Sequence, residues 1–127
     1  MNSLSLEEIV KIELERTSPE KNWEEVFKLI KALPEDRVVR VNNSLFIFTD
    51  RGNKTASFAM CNADAILIMH KSLKEFFTLM EQAGFNKLIW STKRKAMLRM
   101  VTRAGYMYKI NSVSPDEGIS GEVYLNV

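Results

Sequence analysis

Cysteine and histidine are nearly absent from this chain: Cys61 and His70 are the single members of their kinds. One cysteine forms no internal disulfide and cannot fill a multi-cysteine zinc site, so a reducing compartment is the expectation. One histidine provides no histidine cluster, and neither a metal site nor a Cys–His nucleophile pair is assigned. His70, beside Met69, reads as a structural or surface residue, and Cys61 as a small core residue in an apolar strand. Long apolar runs are missing too, with no stretch near the roughly 20 residues a membrane helix needs. The acid-rich first helix has no signal-peptide core, so a protein that is not secreted is expected. Internal repeats, low-complexity tracts and linkers are also lacking, and 1–127 reads as a single domain.

What is present suits a folded domain. Hydrophobic residues make up 46% of the chain and charged residues 27%, enough for a sizeable core under a solvated surface. The net charge of +2 hides an asymmetry. Residues 1–36 hold five basic and nine acidic side chains, whereas 87–109 hold seven basic residues and no acid. Such a basic block serves phosphates, nucleic acid or an acidic protein face, or is simply a solvated helix face.

Spacing gives the order of elements. Ser5 and Glu8 have capping-box separation, so a helix is expected to begin near Leu6 and to end near Arg16, with Leu6, Ile9, Val10 and Glu13 on one stripe. Ser18 as cap and Pro19 at the first turn predict a second helix, with Trp23, Val26, Phe27, Ile30 and Leu33 on one face. Val38, Val39 and Val41 form a strand before the Asn42-Asn43 turn, and a second strand runs over 45–49. The 50–53 turn leads to a third strand over 55–61, on which Ala56, Phe58 and Met60 or their neighbours face inward. Asn62 to Asp64 reads as a turn or a helix cap, with Asp64 a cap before it is a general base. The short apolar run 65–69 fits a strand and a helical turn equally. Ser72 and Glu75 have capping-box spacing, so the central helix is expected to start there, with Leu73, Phe76, Phe77 and Met80 as its stripe and Gly84 as its stop. Leu88, Ile89 and Trp90 form a strand, and Ser91 or Thr92 caps a last helix with Met97, Met100, Val101 and Ala104 inward and Gly105 at its end. Strands over 106–110 and 119–127 close the chain, the last with Val123, Leu125 and Val127 on one side. The fold class is α+β with a mixed sheet, in the order α-α-β-β-β-α-β-α-β-β.

This order, with its helix, strand, helix and strand through 72–109, resembles the GNAT family of acyl-CoA N-acyltransferases with the usual first strand missing. Within that group, the 36–64 hairpins, the basic-aromatic run 71–77 and Leu88-Ile89-Trp90 before a helix closing at Gly105 look like the small, shortened GNAT-like internal virion proteins of short-tailed phages. The resemblance implies a CoA pyrophosphate at the N-terminus of the central helix, where free N–H groups and the helix dipole attract anions. It puts that place at Lys71, Ser72 and Leu73, and the family's asparagine place on Arg94. The family's glycine-bearing pyrophosphate motif, Arg/Gln-x-x-Gly-x-Gly/Ala, is absent from 70–73. Its tyrosine proton donor falls on Val101, which has no proton to give.

The resulting expectation is a non-catalytic, phage-type protein that works by association with a protein partner or with itself, in a host cytoplasm or a virion. It needs no cofactor, no metal and no membrane, and nucleic acid is a weaker option. The alternative is an acyl-CoA-dependent N-acetyltransferase with a divergent cofactor loop, binding acetyl-CoA through Lys71, Ser72, Leu73 and Arg94. No catalytic residue is assigned. Lys95, Arg99 and Arg103, at i, i+4 and i+8 on one helix face, are the candidate contact residues for association.

Overall fold

Alternation along the strands divides the protein into two cores. In the computed structural model, which describes residues 3–125, β1 (Val38–Val41), β2 (Ser44–Gly52) and β3 (Thr55–Asn62) form an antiparallel meander. The helix α3 (Ile66–Gln82) then crosses to β4 (Lys87–Thr92), which pairs with β3 in parallel. A further helix, α4 (Lys95–Arg103), leads to the hairpin of β5 (Met107–Ser114) and β6 (Gly118–Tyr124). The six strands lie in the order β1-β2-β3-β4-β6-β5. This is the mixed sheet and the β-α-β unit expected through Leu88–Trp90. Val127 lies outside the described residues.

One face of the sheet offers Phe46, Ala56, Phe58, Leu88, Trp90 and Val123 to α3 and α4. The i, i+4, i+7, i+8, i+11 stripe of α3 (Met69, Leu73, Phe76, Phe77 and Met80) is buried there, as is the Met97, Met100 and Val101 side of α4. Two-residue alternation sends Leu45 and Cys61 to the opposite face, under α1 (Leu6–Thr17) and α2 (Trp23–Lys31). Here α1 lies against β2 and β3 with Ile9 and Val10 fully buried, while α2 packs along α1 and buries only Ile30. The Trp23 helix shares this second core with the sheet, its Ile30, Val26 and Phe27 grouped with Leu45, Val38 and Ile47.

Helix starts follow the sequence only in part. The Ser5–Glu8 capping box at α1 forms in both directions. Ser18 and Pro19 do not start α2; Asn22 does, its Oδ1 accepting from the Glu24 N–H at 2.9 Å. At α4 the cap position is Arg94, and Thr92 instead holds the preceding turn by accepting the Arg94 N–H at 3.0 Å. The largest correction is at α3. It begins at Ile66, so Ser72 and Glu75 sit inside the helix and form no capping box. The apolar run 65–69 resolves as its first turn because Met69 continues the buried stripe one step before Leu73, which makes a longer helix the better way to cover the sheet.

Candidate functional site

The two central strands hydrogen-bond for only part of their length. β3 and β4 are in register from Thr55↔Lys87 to Phe58↔Trp90; beyond that β3 continues to Asn62 paired only with β2, and β4 to Thr92 paired only with β6. The strands thus splay into a wedge at their C-terminal ends. That is the edge of a parallel pair where open α/β sheets place ligands. The loop after β3 and the start of α3 form one wall, and the turn after β4 and the start of α4 form the other.

The loop wall is held by Asn62, which is fully buried. Its Oδ1 accepts from Ser44 Oγ at 2.7 Å and from the Asp64 N–H at 3.0 Å, and its Nδ2 donates to the Asp64 carbonyl at 2.9 Å. The Asp64 carboxylate accepts from the Asn43 N–H at 2.8 Å and from Asn43 Nδ2 at 3.1 Å. Asp64 therefore ties the loop to the β1–β2 turn and does not cap α3. The helix cap is Ala65, which makes no side-chain bond, and the first helical bond runs from the Met69 N–H to the Ala65 carbonyl. The start of this 17-residue helix, with the positive end of its dipole and no side-chain cap, borders a cavity at Ala65 and Ile66.

That cavity, of about 660 Å³, is lined by Arg16, the 62–66 loop, Met69, Lys93 and Arg94. A smaller one of about 280 Å³ lies on the other side of Arg94, against Glu13, Met60 and Ser91. Between them sits an ion pair. Arg94 Nη2 donates to Glu13 Oε1, with the two side chains 18% and 9% exposed. Glu13 Oε1 also accepts the Asn62 N–H at 2.9 Å, and Glu13 Oε2 accepts from Thr17 Oγ1 at 3.0 Å. Arg94 reaches Met69 Sδ through Nη1 at 3.7 Å. Beside this pair the Cys61 thiol is pushed up to about 12 by burial, with the Glu13 charge adding and Arg94 opposing, so it stays a protonated core residue and not a nucleophile.

Of the residues expected to meet a cofactor, only Arg94 lines the wedge. Lys71, Ser72 and Leu73 are one turn or more inside α3 and line neither cavity. Ser72 is buried with its Oγ accepting from Asn42 Nδ2 at 2.9 Å, and Leu73 is in the core. Their displacement follows directly from the early start of α3. Lys95, Arg99 and Arg103 do share an exposed face of α4, opposite its core stripe. Val101 is fully buried and offers no proton. Among the described residues no group of acids, cysteines and histidine is placed to hold a metal, and no helix is long and apolar enough to cross a membrane. Glu13, Asn62, Arg16 and Lys93 were not singled out from the sequence. The one legible signal was Glu13, an acid placed on the apolar stripe of α1.

No protein-family model matches the chain, and no curated protein matches it in sequence. Solved structures do share its fold. A domain from Methanocaldococcus jannaschii superposes with a TM-score of 0.66 at 12% identity, covering 98% of this chain and 96% of that one. Tetrahymena GCN5 gives 0.65 at 14% identity, over 95% and 86%. A spermidine N-acetyltransferase SpeG chimera from Vibrio cholerae and hSSAT gives 0.63 at 11%, over 98% and 92%. At these identities the likeness is one of fold, and the chain has a GNAT-like fold.

Proposed function

We propose that this protein binds an acyl-CoA-type thioester in the β3–β4 wedge and passes its acyl group to an amine. The observation that carries the reading is the splay of β3 from β4 beyond Phe58 and Trp90, with the side-chain-uncapped start of α3 at its mouth among Arg16, Lys93 and Arg94. Free helix N–H groups with three nearby cations suit a pyrophosphate. Small side chains at Ala63 and Ala65 leave the backbone approachable although the loop has no glycine. That one protein of the same fold is a spermidine N-acetyltransferase chimera supports this reading over association alone.

The chemistry asked of the chain is modest. The wedge would hold the thioester so that an amine nitrogen reaches its carbonyl carbon, the nitrogen loses a proton, the C–S bond breaks, and the thiolate is protonated. With valine at 101 the last proton comes from water, so slow turnover is expected. Calorimetry with acetyl-CoA, followed by free-thiol release in the presence of a polyamine or a lysine peptide, tests the reading. Micromolar binding with saturable thiol release supports it, and no heat at millimolar acetyl-CoA overturns it.

A second reading is favoured by the ion pair that bridges the wedge and by buried Val101: a GNAT-like scaffold, of the phage type or otherwise, that works by association through Lys95, Arg99 and Arg103. Association that weakens when those three residues are reversed, with no acetyl-CoA binding, selects it.

A further inference from the structure

The wedge contains its own competitor for a ligand. Glu13 comes from α1, on the far face of the sheet, and its Oε1 takes the N–H of Asn62 at the end of β3 that β4 does not pair. An amide-bearing ligand arm laid along that edge would use the same N–H. Arg94 closes the gap from the β4 side by donating to the same carboxylate oxygen. Arg94, Lys93 and Thr17 line both cavities, so the pair stands between the cavity at the start of α3 and the smaller one against Met60 and Ser91. The smaller cavity shares Ala59 and Ser91 with a hollow lined by Ser57, Ile89 and Ser120.

We infer that the Glu13–Arg94 pair is a latch, and that a diphosphate-bearing ligand opens it by drawing Arg94 off the Glu13 carboxylate. This rests on the acyl-CoA reading above. A guanidinium facing one carboxylate exchanges it for a phosphate with little change in chemistry, since both anions accept from the same fork of N–H groups. Once Arg94 turns away from Glu13, the two cavities join into one cleft from the start of α3 to Met60 and Ser91. Glu13 is retained by Thr17 Oγ1 and Asn62 N–H and stays behind as an uncompensated carboxylate. The latch therefore sets a threshold for binding, since Arg94 must be won from a buried partner.

The test measures binding of inorganic pyrophosphate and of acetyl-CoA by calorimetry to the wild type, Glu13→Gln and Arg94→Gln. Glutamine keeps an acceptor for the Asn62 N–H but drops the charge that holds Arg94. The expected result is binding about tenfold or more tighter in Glu13→Gln for both ligands, in keeping with the loss of one charged hydrogen bond to a competitor, and weaker binding in Arg94→Gln. If the wild type binds acetyl-CoA and Glu13→Gln binds equally or more weakly, the latch is overturned while the acyl-CoA reading stands. Binding seen only in Glu13→Gln supports both. Failure of every variant, each folded by circular dichroism, overturns both. Should Glu13→Gln not fold, Glu13→Asp, which keeps the charge but shortens the reach to Arg94, is expected to tighten binding in the same direction, and unchanged binding there counts against the latch.

Discussion

The ring of Phe46 on β2 lies flat on that of Phe76 on α3, with centroids 4.4 Å apart and 6° between the planes. Both rings are fully buried. Phe58 tilts against Phe76 at 5.2 Å and meets Phe77 edge-on at 5.9 Å, and Phe77 in turn meets Tyr106 at 5.4 Å with perpendicular planes. This chain of rings joins the helix that opens the candidate site to the sheet beneath it. Truncating Phe76 or Phe77 to alanine empties a site with no solvent access and is expected to cost about 3–5 kcal/mol. Denaturant melts measure it, and a loss under about 1 kcal/mol would show that the neighbouring rings collapse into the space.

Gly121 on β6 sits opposite Trp90 on β4. A Cβ there would lie 2.5 Å from the Lys109 carbonyl oxygen and 2.7 Å from Trp90 Cζ2. Gly121→Ala must therefore shift backbone or the buried indole, and a destabilisation of about 1–3 kcal/mol is expected. A melting temperature equal to wild type would mean that β6 shifts freely against both β5 and β4.

Cys61 gives a pH signature. Burial raises its thiol from 9.0 to about 12, so in alkali the unfolded chain gives up the proton before the native one does. The stabilising contribution is complete below about pH 9 and is lost progressively as pH rises toward 12. Comparing wild type with Cys61→Ala by urea melts from pH 8 to pH 10.5, the wild type is expected to lose more stability over that span. Parallel curves would show that the thiol titrates normally. Native protein at pH 8 is also expected to react with a thiol reagent far more slowly than unfolded protein.

Lys95, Arg99 and Arg103 lie exposed on one side of α4. Reversing all three to glutamate should leave the melting temperature nearly unchanged, because exposed charges contribute little to stability. If this face meets an acidic partner or the acidic N-terminal segment of a second copy, the reversal weakens association and flattens its salt dependence. Sedimentation of both proteins at low and high salt reads this out. Identical behaviour at every salt concentration leaves the face as plain solvated surface.

Periodicity in the chain determined the order of elements, the inward stripes of α3 and α4, the β1–β2 turn at Asn42-Asn43 and the capping box of α1. Each depends on residues within a few positions of one another, so the local pattern holds the information. The start of α3 was not legible, because 65–69 fits two structures and Ser72–Glu75 imitates a cap; burial of Met69 under the sheet decided it. That one choice put the N-terminus of the helix at 65–66 and left Lys71, Ser72 and Leu73 inside it, away from the wedge. The wedge itself is also a tertiary product, since it depends on where two strands stop pairing. Its Glu13–Arg94 pair joins residues 81 positions apart. Sequence spacing carries no signal for such a contact, beyond an acid on the apolar stripe of α1; folding the first helix behind the sheet brings the two charges together.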